Sequence, residues 1–67
     1  MDYLNMKISE ALRKLKKTGC YFISHGTNHD WWFSPITNKK FQVPRHQTQE
    51  LTPKTKTSIE IYSGIKL

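Results

Sequence analysis

The chain has 67 residues, 36% of them apolar and 12% aromatic; at this size folding buries only roughly 60% of the unfolded chain's surface, so one domain spanning residues 1–67 is expected. Eleven Lys and Arg against five Asp and Glu leave a formal charge of +6, a balance that favours a polyanionic partner, nucleic acid foremost. No apolar run approaches the roughly 20 residues needed to cross a bilayer, and Met1-Asp2-Tyr3-Leu4-Asn5 has neither the basic start nor the apolar core of a secretory signal, so a cytoplasmic protein without membrane attachment is expected. The lone Cys20 cannot form an internal disulfide, and the four cysteines of a zinc ribbon are absent, which leaves stability to the core or to a partner protein.

Between Met6 and Thr18 the apolar residues Ile8, Ala11, Leu12 and Leu15 recur at spacings of three, four and three, which predicts a helix with one buried stripe. Arg13, Lys14, Lys16 and Lys17 crowd its final turns before a stop at Gly19. Positive charge there complements the exposed carbonyls, and a solvated helix face is a plainer reading of these cations than a phosphate-facing edge. Cys20-Tyr21-Phe22-Ile23-Ser24 reads as a strand entering a tight turn at His25-Gly26-Thr27-Asn28. A second strand follows from His29 to Ser34, carrying Trp31, Trp32 and Phe33, until Pro35 and Thr37-Asn38 break it. The third runs from Lys39 to Val43, where Lys40 and Gln42 alternate with Phe41 and Val43, so one face is wet and one packed.

Pro44 to Gln49 is polar and unpatterned, a loop. Thr52 and Pro53 then read as N-cap and first helical position. A second helix is expected over Lys54–Ser63, with Ile59 and Tyr62 as its apolar positions and Leu51 and Ile65 flanking it; three threonines and a serine lower its intrinsic propensity. The resulting architecture is α+β: helix, three-stranded antiparallel meander, helix, with both helices on one face of the sheet and the other face open.

His25, His29 and His46 are the side chains that exchange protons most readily near neutral pH. His29 stands out because Gly26-Thr27-Asn28 precede it: glycine permits an unusual backbone, and the amides of such a turn approach an anion closely. The competing reading is a histidine that starts a strand beside a polar hairpin. His25 and His29 have H-x3-H spacing with Cys20 upstream, but across a turn this spacing does not converge two imidazoles as it does on a helix. Asp2, Glu10, Asp30, Glu50 and Glu60 are scattered, without the paired carboxylates of a magnesium site. No metal or cofactor is expected, and phosphoryl chemistry is expected to proceed without one. Cys20 reads as a small core residue. Strand alternation must send at least one of Trp31, Trp32 and Phe33 to the open face, where it can stack on an unpaired base, bury against another protein or fold onto the sheet edge.

The small basic chain, the helix–three strands–helix order, the Gly26-Thr27-Asn28-His29 turn, the Val43-Pro44-Arg45-His46 segment and the ending in Gly64-Ile65 together resemble the HicA toxins, RNA-cleaving halves of HicA–HicB toxin–antitoxin pairs. The likeness runs from about Lys7 to Leu67. It implies a double-stranded-RNA-binding-domain-like fold, a HicB-like antitoxin partner, and metal-independent cleavage of messenger RNA, with His29 as the catalytic histidine of a Gly-Ser/Thr-x-His turn. Some members carry histidine at the third motif position, which here is Asn28. Pro44-Arg45-His46 matches a family signature and is read as keeping the fold or positioning phosphate; the resemblance does not by itself give His46 a proton-transfer role. Gly26, Thr27, Asn28, Lys39, Lys40 and Arg45 are the candidate RNA-binding residues. Two other classes stay open: a non-catalytic RNA-binding module of the same fold, and an interaction protein whose basic face docks an acidic partner.

Overall fold

The computed structural model describes residues 6–46 and 48–67; the absent secretory signal read from Met1 to Asn5 lies outside them. The element order is α1 (Ile8–Lys17), β1 (Tyr21–His25), β2 (His29–Ser34), β3 (Lys39–Pro44) and α2 (Pro53–Ser63). This is the expected α+β helix–meander–helix layout, with boundaries shifted by one or two residues. Among the described residues, no helix is long and apolar enough to cross a membrane.

Helix α1 begins where the Glu10 carboxylate accepts from the Lys7 backbone N–H at 2.9 Å, satisfying one of the amides a helix start leaves unpaired. Its stripe Ile8, Ala11, Leu12 and Leu15 is buried, and Ala11 and Leu15 are fully enclosed. At the other end the Thr18 hydroxyl donates to the Leu15 carbonyl at 2.8 Å, and the chain turns away at Gly19.

The three strands form one antiparallel sheet in the order β1-β2-β3. Trp32 pairs with Phe41 and Asp30 with Val43; since antiparallel partners share a face and neighbours alternate, Trp32, Phe41 and Val43 all point toward the helices. They join Leu12, Cys20, Leu51, Ile59 and Ile65 in one core. Trp31 and Phe33 take the opposite face, both half-buried. Within the trio, therefore, Trp32 belongs to the core and two aromatics face outward. Strand β1 lies at the sheet edge with all five residues exposed, and its pairing with β2 slips by one residue at Ile23.

Helix α2 starts as expected: the Thr52 hydroxyl accepts from the Thr55 N–H at 3.3 Å, with Pro53 in the first turn. Its inward face differs from the apolar pattern. Ile59 and Ser63 are buried, whereas Tyr62 is 46% exposed. Positions 59 and 63 are one helical turn apart, and that stripe meets the sheet. Ser63 is tolerated inside because its polar groups are matched: its carbonyl accepts from the Ser34 hydroxyl at 2.6 Å, and its own hydroxyl accepts from the Ile65 N–H at 3.2 Å. The Thr37 hydroxyl adds a bond to the Tyr62 carbonyl. The β2–β3 hairpin thus receives the last carbonyls of α2, giving a helix of modest propensity tertiary support. Gly64 then leaves the helix at φ 75°, where any Cβ would lie 2.8 Å from Thr37 Cγ2.

Candidate functional site

The β1–β2 turn is closed by the Gly26 N–H, which donates to the His29 carbonyl at 2.7 Å. Gly26 does not occupy the left-handed region; among the described residues the only non-glycine with positive φ is Asn38, and the glycines that have it are Gly19 and Gly64. Close approach is what requires glycine here, because a Cβ at position 26 would sit 2.6 Å from the His29 carbonyl oxygen. The expectation of an unusual glycine backbone is corrected accordingly: the absent side chain, and not a special dihedral angle, lets the turn close. Thr27 and Asn28 are exposed at its tip, and among the described residues their amides make no hydrogen bond.

A guanidinium clamps this turn from the end of β3. Arg45 Nε donates to Asp30 Oδ1 at 3.0 Å, and a terminal nitrogen donates to the Gly26 carbonyl. His25 Nδ1 donates to the same Asp30 oxygen at 2.8 Å. The His25 hydrogen bond, opposed by partial burial and reinforced by Arg45, holds the Asp30 carboxyl below the usual carboxylate range. Of the two roles considered for the Pro44-Arg45-His46 segment, the Arg45 contacts perform the structural one. His25 pairs with Asp30 on one face of the sheet, and His29, adjacent to Asp30, falls on the other, so the two imidazoles of the H-x3-H spacing diverge. Among the described residues no three His, Cys, Asp or Glu side chains gather as a metal-binding group.

His29 is exposed and opens onto two adjoining clefts. The first, of about 450 Å³, lies between the outer side of β3 and α2, where Trp31, Lys40 and Gln42 face Lys54, Ser58 and Tyr62. Lys40 Nζ sits 5.3 Å above the Trp31 ring, a cation–π contact that keeps a charge beside an aromatic surface. The second cleft, of about 310 Å³, runs from Asn28 and His29 past Pro44 to His46, Glu50 and Thr52.

Of the residues expected at the site, Gly26, Thr27, Asn28 and His29 form one turn, Arg45 braces it and Lys40 lines the adjoining cleft. Lys39 is not brought there. It pairs with Ser34 while His29 pairs with Pro44 at the opposite end of the same ladder, a separation of about 16 Å at the usual rise per strand residue. Sequence reasoning missed the α2 wall: Lys54, Ser58 and Tyr62 recur at spacings of four, a helical face whose polar character reads as solvent-facing until the helix is docked against β3.

Comparison with curated proteins and with solved structures gave no match. The family model described as the HicA toxin of bacterial toxin–antitoxin systems matches residues 8–65, a span that includes both helices, the whole sheet, the His29 turn and both clefts. The chain therefore belongs to the HicA toxin family, as the toxin of a toxin–antitoxin pair whose partner is an antitoxin.

Proposed function

We propose that this toxin works as a single domain in the cytoplasm, as a metal-independent endoribonuclease that cleaves messenger RNA, with His29 as general acid/base. The observation that carries the reading is an exposed imidazole at the junction of two clefts, beside Lys40, Lys54 and the amides of Thr27 and Asn28, which make no hydrogen bond among the described residues. RNA carries its own nucleophile: once a base takes the 2′-hydroxyl proton, that oxygen attacks the adjacent phosphate without a metal ion. The charge that develops on the phosphate is met by cationic side chains and turn amides already in place. Trp31, half-buried under Lys40, offers a face on which an unpaired base stacks while the ammonium holds a phosphate.

The antitoxin, HicB-like in this proposal, silences the toxin by covering the face that bears His29, with Trp31 as an anchor. Trp32 is excluded from that role by its place in the core.

Incubation of labelled RNA with the purified protein in the presence of chelator tests the proposal. Cleavage that persists in the parent and disappears in His29→Ala, with RNA binding retained, supports it. Binding without cleavage by the parent supports the non-catalytic RNA-binding module instead, and neither activity supports docking to an acidic protein. RNA affinity should fall steeply with added salt, as phosphate contacts require.

A further inference from the structure

We infer that His46 is the second proton-transfer residue, the general acid that protonates the leaving 5′-oxygen opposite His29; the inference rests on the ribonuclease reading above. His29 and His46 line the same cleft of about 310 Å³. Both are exposed, and neither imidazole has a hydrogen-bond partner among the described residues. The register explains how they come to share it. His29 pairs with Pro44, so their side chains share a face, and His46 follows two residues later where the chain leaves the strand.

The segment that carries His46 is tied down on its far side. The His46 carbonyl accepts from the Gln49 N–H at 3.1 Å, and the Ile8 N–H donates to the Gln49 carbonyl at 2.9 Å. The Leu51 N–H donates to the Met6 carbonyl at 2.7 Å, and Lys7 and Glu50 form an isolated bridge. These bonds tie the backbone of His46, Gln49 and Leu51 to its surroundings, so the main chain that carries the imidazole is anchored beside the start of α1. The charged or titratable groups around the pair are Glu50 in the same cleft and Lys40, Lys54 and Tyr62 in the adjoining one; Ile8 of α1, and Thr52 and Thr55 at the start of α2, contribute no charge.

The step balances with two imidazoles and no co-reactant. Neutral His29 takes the 2′-hydroxyl proton as the 2′-oxygen–phosphorus bond forms. Protonated His46 gives its proton to the 5′-oxygen as the phosphorus–5′-oxygen bond breaks. The products are a 2′,3′-cyclic phosphate and a 5′-hydroxyl end, and exchange with water restores both rings.

The test compares the parent, His46→Ala, His46→Gln and His29→Ala on two oligonucleotides that the parent cuts: ordinary RNA, and the same RNA with sulfur replacing the bridging 5′-oxygen at the cut site, a leaving group that needs no proton. The expected result is a 10²- to 10³-fold slower cut of ordinary RNA by both His46 variants, near-parental cutting of the sulfur-bridged RNA, and loss of the high-pH limb of the pH–rate profile. His29→Ala should fail on both substrates. Parental rates of His46→Ala on ordinary RNA, or an equal loss on both substrates by both variants, would overturn the assignment to His46 while leaving the nuclease reading intact. A parent that cuts no RNA at all overturns the nuclease reading, and the assignment with it.

Discussion

Arg45 at the end of β3 donates to the Gly26 carbonyl, nineteen residues earlier in the chain, so the turn that aims His29 is braced from the far side of the sheet. The same guanidinium engages Asp30. Arg45→Ala removes both contacts and leaves the Gly26 carbonyl to water. The expected cost is about 1 kcal/mol of stability, because the pair is partly exposed, with a larger effect on RNA cleavage than on folding because the His29 turn loosens. Urea melts and cleavage rates measured on one preparation check this; unchanged cleavage would show that the brace does not position the imidazole.

The Asp30 carboxyl is held below its ordinary value of 3.8 by the His25 hydrogen bond and by Arg45. A carboxyl whose folded value is depressed contributes stability that is present above its unfolded value and is lost as pH falls through the folded one. Asp30→Asn should therefore be less stable than the parent at pH 7, and the gap should close as pH falls below 3.8. Denaturant midpoints measured from pH 7 down to the acid limit decide the matter; a gap constant across that range would remove Asp30 from the acid response.

Gly26→Ala places a Cβ 2.6 Å from the His29 carbonyl oxygen. Backbone must move, since the atom encountered belongs to the main chain and not to a flexible side-chain end. The expected destabilisation is about 1–3 kcal/mol, with loss of the turn-closing bond seen as faster hydrogen exchange at the Gly26 amide. Parental exchange there would show that the turn absorbs the methyl group.

Ser34 is fully buried and joins the β2–β3 hairpin to the end of α2 through the Ser63 carbonyl. It also accepts from the Ile36 and Thr37 amides at 3.2 and 3.4 Å. Ser34→Ala leaves the buried Ser63 carbonyl and the partly buried Ile36 and Thr37 amides without their partner, at an expected cost of about 1–3 kcal/mol. The last turn of α2 should fray first, which amide exchange from Ile59 to Gly64 would register.

Trp31→Ala should weaken antitoxin binding at least tenfold, about 1.4 kcal/mol, while leaving the fold intact, because the ring lies on the outer face with Lys40 above it and not in the core. Titration calorimetry against the purified antitoxin measures it. Trp32→Ala is the contrasting variant: its ring is 4% exposed, and its loss should cost about 3–5 kcal/mol of stability.

Local chemistry made much of this legible in the sequence. The three-four-three spacing of α1, the Thr52-Pro53 start of α2 and the alternation around Phe41 and Val43 each encode their element through near neighbours. Tyr62 and Ser63 show where such reasoning stops. The apolar residue turns outward and the hydroxyl goes inside, because burial there depends on Ser34, a partner almost thirty positions away that satisfies the Ser63 carbonyl. The site divides in the same way. His29 and its turn lie within four consecutive residues and are readable as a motif, whereas the opposing wall of Lys54, Ser58 and Tyr62 exists only once α2 docks against β3. His46 likewise lines the same cleft as His29 only once β3 pairs with β2 and brings Pro44 opposite His29.

The slip at Ile23 bears on how readily another strand could extend the sheet edge. Tyr21, Phe22 and Ile23 are three consecutive apolar side chains on an outer strand, the kind of border on which a second chain can add its own strand. Inserting one residue out of step with β2 bends that border and interrupts the regular spacing of donors and acceptors a newcomer would need. A greasy rim is thereby left open to a shaped partner while being a poor template for copies of itself.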